Sequence, residues 1–524
     1  MDKKMYICKQ FANHRRMGVI ARQSIRGAIA NYLGVAIGFF TTFFVLTDCL
    51  SQEEIGLTRV MVDAAMLFSG LAQLGTNSSI VRFFPYFKTE RGDNHGIFGW
   101  SLIIPLLGFS LFSLLFFVFR GPILGVYEQK SSLLVNYFYL LLPLTFFALY
   151  MTVFETNASV LLHITVPKFV REVGIRVFNL VCYELYGKGV ISLDVFVLLF
   201  CGSYALAMVL NLLYLFTLGK ISFRIDWKFM DRRMWGDVGR YTLFMTATVL
   251  AGNIPLINSL FLGAKAGLAL TGVYTIAFYI ANIVEIPYRS LGAISGPVIA
   301  QSIKENNWAE VNRLGRQVSL HQLLLSSLIF FFIWINLKAL FMVIPHGAEY
   351  VGGMGVVFFL GIAKIVNSSF SIGCNILNYS RFYAYSLLFI AVLTVSAIGF
   401  NDWFISMWGI NGAACATLFS YILYFSLLLT FVGVRLHVTL FCRTQLRVLA
   451  LMLVLFGVNY LWETWVVGSL IPNSSMVWVL GEAVVRTLLF LVVSFSAVRR
   501  MHISSDVDKI LSKIPLPGRK RNAR

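Results

Sequence analysis

The stretch YVGGMGVVFFLGIAKIVNSSFSIGCNILNYS, residues 350–380, contains a single charged side chain, Lys364, near its middle. A helix needs about 20 apolar residues to cross the hydrocarbon core of a bilayer, so this stretch is long enough to span it. Similar stretches recur along the whole chain. The composition agrees, because 58% of the 524 residues are hydrophobic and only 13% are charged. The sequence therefore predicts an all-α polytopic membrane protein.

Fourteen transmembrane helices are predicted, an even number that places both chain termini on the same side of the membrane. The expected spans are residues 25–47, 58–80, 97–119, 133–154, 168–186, 193–219, 239–263, 271–294, 318–344, 351–373, 384–400, 409–433, 446–466 and 477–498.

Basic residues divide unevenly between the two sets of gaps that separate these spans. Of the 43 Lys and Arg residues, 35 lie in alternate gaps, at the adjoining span ends or in the two tails, and only five lie in the other gaps. Cytoplasmic loops carry an excess of Lys and Arg, so both termini are predicted to be cytoplasmic. The net charge of +19 is accordingly assigned to the membrane surface, and no nucleic-acid partner is expected.

An internal repeat organises the spans. A shift of 216 residues aligns Gly56 with Gly272 and residues 71–92 with residues 287–308. Spans one to six then correspond in order to spans seven to twelve, as a parallel repeat of the kind that binds substrate between two lobes. The predicted organisation is a cytoplasmic tail at 1–24, an N-lobe at 25–219, a linker at 220–238, a C-lobe at 239–433, spans thirteen and fourteen at 434–498, and a basic cytoplasmic tail at 499–524.

Patterns of catalytic or metal sites are missing from the sequence. The seven Cys residues show no paired spacing, the seven His residues are scattered, and neither a phosphate-binding loop nor an HExxH motif is present. A membrane-embedded glycosyltransferase or polymerase is the enzyme alternative, but no gap is large enough for the extramembrane domain that such enzymes generally need. We therefore expect no enzymatic activity, no cofactor and no metal ion.

Several sequence runs resemble a known family. They are RQSI at 22–25, NYLG at 31–34, EEIGLTR at 53–59 and LGTNSSIVRFFP at 74–85, joined by Gly296-Pro297 further along the chain. These runs are similar to the opening of bacterial polysaccharide repeat-unit flippases of the Wzx type, which serve O-antigen, capsule and exopolysaccharide synthesis. Those flippases belong to the multidrug/oligosaccharidyl-lipid/polysaccharide (MOP) exporter superfamily.

The resemblance implies two six-helix lobes in a V shape, with two further C-terminal helices. It also implies a cargo, a polyprenyl-pyrophosphate-linked oligosaccharide, which crosses from the inner to the outer leaflet of the bacterial cytoplasmic membrane by alternating access. Besides the bilayer, a polysaccharide polymerase and glycosyltransferases are the implied partners. Two alternatives stay open: a flippase of the peptidoglycan precursor lipid II, and a drug or cation antiporter of the same superfamily.

Charged side chains within the spans are functional candidates, because each costs about 2.5–3.5 kcal/mol at a helix centre unless it meets a partner or a wet cavity. Lys364 has no carboxylate in its own stretch, so we predict that it faces the cavity and binds an anionic group of the cargo. The alternative is a buried pair with a distant acid such as Glu285. Arg59 and Asp63 share a helix face. They form either a structural pair or a site where Arg59 binds cargo and Asp63 titrates.

Span eight repeats this spacing in Glu285 and Arg289, with Pro287 between them loosening the helix. The guanidinium of Arg289 suits a diphosphate, although it could instead anchor the helix at the headgroups. Arg82 ends span two at the predicted cytoplasmic face, where it either binds the cargo headgroup or only marks topology. A proton or sodium gradient could bias the cycle, with Asp63 or Glu285 as the titrating group.

Three further features concern membrane topology and helix packing. Charged residues crowd positions 168–176 in span five, for which an interfacial amphipathic helix is the alternative. Glu482 and Arg486 in span fourteen lie outside the repeat and are predicted to form a structural pair. Gly34 and Gly38 have the small-xxx-small spacing that lets helices approach closely.

Overall fold

The computed structural model describes residues 33–89, 94–219, 224–226, 229–251, 254–467 and 476–500. Within these ranges every regular element is a helix. Ten of the described helices are long and apolar enough to cross a membrane. The chain is therefore an all-α, multi-pass membrane protein, as predicted, whereas the number of fourteen spans stays a prediction.

The chain divides into two compact units between Thr275 and Ile276. This division does not define the lobe boundaries expected from the sequence, which stay predictions. The first unit contains the following helices, of which α11 crosses the boundary into the second unit. They are α1 (Leu33–Cys49), α2 (Gln52–Ala72), α3 (Thr76–Phe87), α4 (Ile97–Val118), α5 (Arg120–Tyr127), α6 (Ser132–Val160), α7 (residues 165–187), α8 (Leu193–Thr217), α9 (Arg232–Ala251), α10 (Ile254–Lys265) and α11 (Leu268–Asn282).

The second unit contains the remaining helices. A short 3₁₀ turn at Ile283–Glu285 follows α11 and precedes them. They are α12 (Ile286–Lys304), α13 (Trp308–Val343), α14 (Met354–Tyr379), α15 (Tyr385–Leu436), α16 (Arg443–Leu461) and α17 (Met476–Arg500).

The second span differs from the sequence prediction, which placed one helix at 58–80. Helix α2 begins earlier, at Gln52, because Ser51 and Glu54 form a reciprocal capping box at its N-terminus. It ends at Ala72, since Leu74 and Gly75 adopt φ angles of 49° and 66° in the left-handed region. That conformation cannot continue a right-handed helix. One predicted span is therefore two helices, α2 and α3.

The corresponding part of the second repeat is also broken. Helices α2 and α11 begin 216 residues apart, at Gln52 and Leu268, which is the shift found in the sequence. After α11, the 3₁₀ turn ends at Glu285 and Pro287 occupies the first turn of α12. Proline has no N–H to donate to the preceding turn and suits a helix start. The predicted loosening at Pro287 is thus present as a change of helix type.

Two other predicted spans are joined in one long helix. The backbone hydrogen bonding of α15 continues for 52 residues, but Gly409 within it has φ 54° and ψ −128°. Only glycine adopts this conformation readily, so Gly409 separates the two segments that the sequence predicted as spans eleven and twelve. The single helix α15 therefore contains both predicted spans, one on each side of the kink.

Packing joins the last two helices to α13 within the second unit. Buried side chains of α13, α16 and α17 form one hydrophobic core, in which the rings of Phe331 and Phe490 lie 5.2 Å apart. In the first unit a similar core joins α6 and α8, with Leu149 and Leu215 nearly inaccessible. In lipid such contacts stabilise mainly through close van der Waals packing, because the surrounding tails are equally apolar.

Candidate functional site

The first unit holds a buried ion pair, which we call the Asp63 cluster: Arg59, Asp63, Ser259, Asn258 and Tyr274. The Nε atom of Arg59 lies 2.5 Å from Oδ2 of Asp63, one helical turn away on α2. The Ser259 hydroxyl on α10 donates to the same oxygen at 2.6 Å. Asn258 donates to the Tyr274 hydroxyl at 2.9 Å. Only 10% of the Arg59 side chain and 6% of the Asp63 side chain are exposed.

Glycines allow the helices of this cluster to approach closely. A methyl group at Gly56 on α2 would collide with the carbonyl oxygen of Leu268, and one at Gly272 on α11 would collide with that of Gln52. Next to α10, the Ser131 hydroxyl donates to the Gly263 carbonyl oxygen at 2.5 Å. The positions of Arg59 and Asp63 are therefore fixed by backbone contacts as well as by their own ion pair.

A second buried ion pair lies in the second unit, and we call it the Glu285 cluster: Glu285, Lys364, Asn367 and Phe278. The Nζ atom of Lys364 on α14 lies 3.1 Å from Oε2 of Glu285. Asn367, one turn further along α14, donates to Oε1 at 2.8 Å. The ammonium also lies 5.4 Å from the centre of the Phe278 ring, within the range of a cation–π contact. Lys364 is only 4% exposed.

The position of Lys364 matches the alternative raised from the sequence, a pair with the distant acid Glu285. The two residues are 79 positions apart, so no pattern within one span could indicate that they meet. In this conformation the cation is neutralised by a carboxylate. Binding of cargo by Lys364 stays a prediction, because the cargo would have to replace Glu285 in another conformation of the protein.

The other two predicted cargo residues lie on the broken second spans of the two repeats. Arg82 on α3 is exposed, and its guanidinium carbon lies 4.2 Å from the centre of the Tyr241 ring. Arg289 lies in α12, and its side chain is outside the described part of the structure. The substrate-binding roles of Lys364, Arg289, Arg59 and Arg82 and the coupling roles of Asp63 and Glu285 remain predictions.

A network that the sequence analysis treated only as a question of topology joins α6 and α7. Arg171 lies 2.8 Å from a carboxylate oxygen of Glu155 and 3.3 Å from Glu172, which also pairs with Arg176 at 3.4 Å. The backbone of α7 forms a π turn at Val170–Gly174, a distortion that is frequent at functional sites. Because Arg171 and Arg176 are still 37% and 35% exposed, we expect them to face a hydrated region.

The same helix contacts α1 at the two glycines singled out by their spacing. A methyl group at Gly34 would collide with Glu172, and one at Gly38 with the guanidinium of Arg176. Arg176 donates to the carbonyl oxygen of Gly34. The predicted packing role is confirmed for Gly34, where the backbone and Cβ of Glu172 leave no room for a larger residue, whereas Gly38 lies against the flexible end of Arg176.

The predicted Glu482–Arg486 pair is also present, as part of a larger group. Arg486 lies 3.2 Å from both Glu482 and Glu463, and Trp462 donates to Glu482 at 2.8 Å. Arg486 further donates to the carbonyl oxygen of Ile335 on α13. These contacts connect α17 and the π turn after α16, Trp462–Val467, to α13, which agrees with a structural role.

Metal-ligating side chains do not cluster over the described ranges, where no group of three or more His, Cys, Asp or Glu residues could hold a metal ion. The charged groups brought together are instead basic and acidic pairs. The two residues of such a pair neutralise each other while no ligand is bound. An ionic ligand can replace one of them as the partner of the other.

Sequence comparison places the chain in a family. The polysaccharide biosynthesis protein family matches residues 24–303, which is more than half of the chain. The chain belongs to the polysaccharide biosynthesis protein family. The match covers all of the Asp63 cluster and Glu285, and it ends before Lys364. No curated protein matched the chain in sequence.

Solved structures show which fold this member of the family has. The lipid II flippase MurJ in an inward closed conformation superposes with a TM-score of 0.70 at 12% identity, over 92% of this chain and 100% of that chain. A multidrug resistance MATE family transporter of the MOP superfamily in an inward-facing conformation gives 0.55 at 16% identity, over 79% and 98%. A MOP superfamily transporter from Pyrococcus furiosus gives 0.52 at 15% identity, over 79% and 95%. The chain therefore has the all-α fold of these transporters, as predicted.

Proposed function

We propose that this chain moves a polyprenyl-pyrophosphate-linked oligosaccharide from the inner to the outer leaflet of the bacterial cytoplasmic membrane. Membership of a polysaccharide biosynthesis family supports the glycan, and the MOP fold supports transport by alternating access. In this proposal both termini are cytoplasmic, and the cargo is made by glycosyltransferases inside and consumed by a polymerase outside. The protein itself carries out no covalent chemistry.

The observation that carries the proposal is that each compact unit buries a cation already paired with one carboxylate. Asp63 holds Arg59 in the first unit, and Glu285 holds Lys364 in the second. A buried cation is costly without a partner, so a carboxylate keeps it in place while no cargo is bound. A diphosphate carries more negative charge than a carboxylate and can replace it at the cation. Cargo binding then becomes an exchange of anionic partners.

This exchange also suggests how an ion gradient could act. When the diphosphate takes over Lys364, the Glu285 carboxylate loses its cation within a buried setting. A proton or a sodium ion would then neutralise it, and its release on the other side would restore the Lys364 pair. Asp63 has the same relation to Arg59. We therefore propose Asp63 and Glu285 as the coupling residues if transport is driven by a gradient.

Two other cargoes follow from the neighbouring structures. The similarity to MurJ favours lipid II, whose headgroup also contains a diphosphate, and the MATE family favours a drug. A cationic drug would find its best contacts at carboxylates, whereas both carboxylates here are engaged by cations in the described conformation. We therefore rank the oligosaccharide lipid first and lipid II second.

The test is deletion of the gene, followed by analysis of lipid-linked glycans and of the surface polysaccharide. We expect the cargo to accumulate on its polyprenyl carrier and the surface polymer to be lost. Complementation with Lys364→Met should fail to restore the polymer. Lys188→Met is the matched control, because the Lys188 side chain is 71% exposed and pairs with Glu184 at the surface, where such pairs contribute little.

The same strains separate the alternatives. Rescue of a strain depleted of its lipid II flippase would favour the peptidoglycan precursor. Loss of drug resistance in the deletion strain, without any change in the surface polymer, would favour an antiporter. Normal surface polysaccharide in the deletion strain would refute the proposed function.

A further inference from the structure

A cavity of about 360 Å³ lies at the start of α13, and it shares no residue with the Asp63 cluster or the Glu285 cluster. Its walls come from the first turns of α13 and from the segment that precedes α16. The residues that matter here are Asn312, Arg313, Arg316, Gln317, Leu320 and Cys442. We call it the Arg316 cavity.

The guanidinium groups of this cavity are held in position by neighbouring residues. The Arg316 Nε atom donates to the Thr439 carbonyl oxygen at 2.7 Å, and its Nη2 atom donates to the Thr439 hydroxyl. The Asn312 side-chain oxygen accepts from the Thr439 N–H at 2.9 Å. Because a guanidinium has five donors and these bonds use only its Nε and Nη2 atoms, Arg316 is held without exhausting its donors. Arg313 is held by two bonds to Glu310, at 2.7 and 2.8 Å.

The charge around the cavity is strongly positive. The segments 309–320 and 435–447 supply its walls and the helix ends beside them, and they contain five arginines and one acidic residue, Glu310. The arginines are Arg313, Arg316, Arg435, Arg443 and Arg447. Both segments begin in gaps that the positive-inside count places at the cytoplasmic face. Two of these arginines, Arg313 and Arg316, line the cavity, and guanidinium groups suit a phosphate ligand.

An apolar strip beginning beside the cavity identifies the kind of phosphate compound. Arg443, the neighbour of the lining residue Cys442, starts helix α16 and is exposed. One and three turns further along the same helix face, Leu446 and Leu453 are 53% and 75% exposed. In a membrane these side chains contact acyl chains. A ligand with an anionic head and a hydrocarbon tail would satisfy both parts, whereas a free phosphate would use only the first.

We propose that the Arg316 cavity binds the headgroup of an anionic phospholipid from the cytoplasmic leaflet. The site shares no residue with either ion-pair cluster, and its ligand does not depend on the cargo's identity. Its ligand bridges α13 to the segment before α16, and so it fastens α16 to α13. Basic pockets between helices on the cytoplasmic side commonly bind such headgroups.

The experiment measures lipid retention by the purified full-length protein in detergent, using native mass spectrometry with dioleoyl phosphatidylglycerol as the probe. Dioleoyl phosphatidylcholine is the lipid control. We expect one phosphatidylglycerol molecule to bind more tightly than the others. Arg313→Gln/Arg316→Gln should weaken the binding of this molecule by about 25-fold, a value that follows from the typical contribution of each basic residue at a membrane surface. The matched variant Arg232→Gln/Arg233→Gln removes the same charge from α9 and should leave this molecule bound.

Three outcomes would overturn the proposal. Equal retention of the two lipids would show that charge does not select the ligand. An equal loss in both double variants would show that the net charge, not this cavity, attracts the lipid. Full displacement of the lipid by millimolar inorganic phosphate would show a site for free anions. If the double variant does not fold, Arg313→Gln alone serves, because this side chain is 62% exposed, and an unchanged affinity there would also refute the proposal.

Discussion

Replacing Glu285 by Gln tests the buried ion pair of the second unit most sharply. The change keeps the size of the side chain but leaves the Lys364 ammonium, 4% exposed, beside a neutral amide. Removing one partner of a buried pair typically costs about 3–5 kcal/mol. The Phe278 ring already lies 5.4 Å from the ammonium in the parent, so this cation–π contact does not offset the cost. We therefore expect a loss of about 3–5 kcal/mol in the free energy of unfolding.

The assay is the thermal unfolding midpoint of the purified protein, measured together with restoration of surface polysaccharide in the deletion strain. Glu285→Gln should lower the midpoint clearly, and Glu285→Gln/Lys364→Met should return it close to that of the parent, since removing both charges of a buried pair is often neutral. Restored stability without restored export would assign the pair to transport, through the cation that binds cargo or the carboxylate that couples. An unchanged midpoint in Glu285→Gln would refute the argument that this carboxylate neutralises Lys364.

Three other expectations follow from the described contacts. Asp63→Asn should lower the unfolding midpoint more than Arg59→Gln/Asp63→Asn does, since the single change strands a cation that is 10% exposed; equal midpoints would contradict this. Gly56→Ala should cost about 1–3 kcal/mol, because its methyl group meets the Leu268 carbonyl, whereas Gly202→Ala, with open space around it, should be neutral in the same melt. Glu155→Gln should lower the free energy of unfolding by about 1–2 kcal/mol, and so reduce the unfolding midpoint and the yield of purified protein. Glu184→Gln at the surface should change neither the midpoint nor the yield measurably.

The bounds of some long apolar helices were the part of the fold that the sequence predicted best. Span three was expected at 97–119 and is observed at Ile97–Val118, and span six was expected at 193–219 and is observed at Leu193–Thr217. Both lie between clear polar gaps, so hydrophobic length alone defines them. Where a break depends on backbone conformation, as at Gly75, apolar content carries no signal. The sequence therefore missed the division between α2 and α3.

Candidate site residues were predictable as charges but not as partners. The Arg59–Asp63 pair could be predicted because its members are four residues apart on one helix. The partner of Lys364 could be named only as an alternative, because Glu285 lies on another helix and the contact depends on tertiary packing. The Arg171 network was visible as a crowd of charges in span five. Its connection to Glu155, 16 residues earlier, depends on how α6 and α7 pack.

The central claim is that this protein moves the glycan lipid between leaflets. The most direct measurement labels lipid-linked oligosaccharide with a membrane-impermeant reagent in spheroplasts of the parent, the deletion strain and the strain carrying Lys364→Met. We predict that the carrier-linked glycan is largely labelled in the parent and protected in the other two strains. An equal labelled fraction in the parent and the deletion strain would contradict the account.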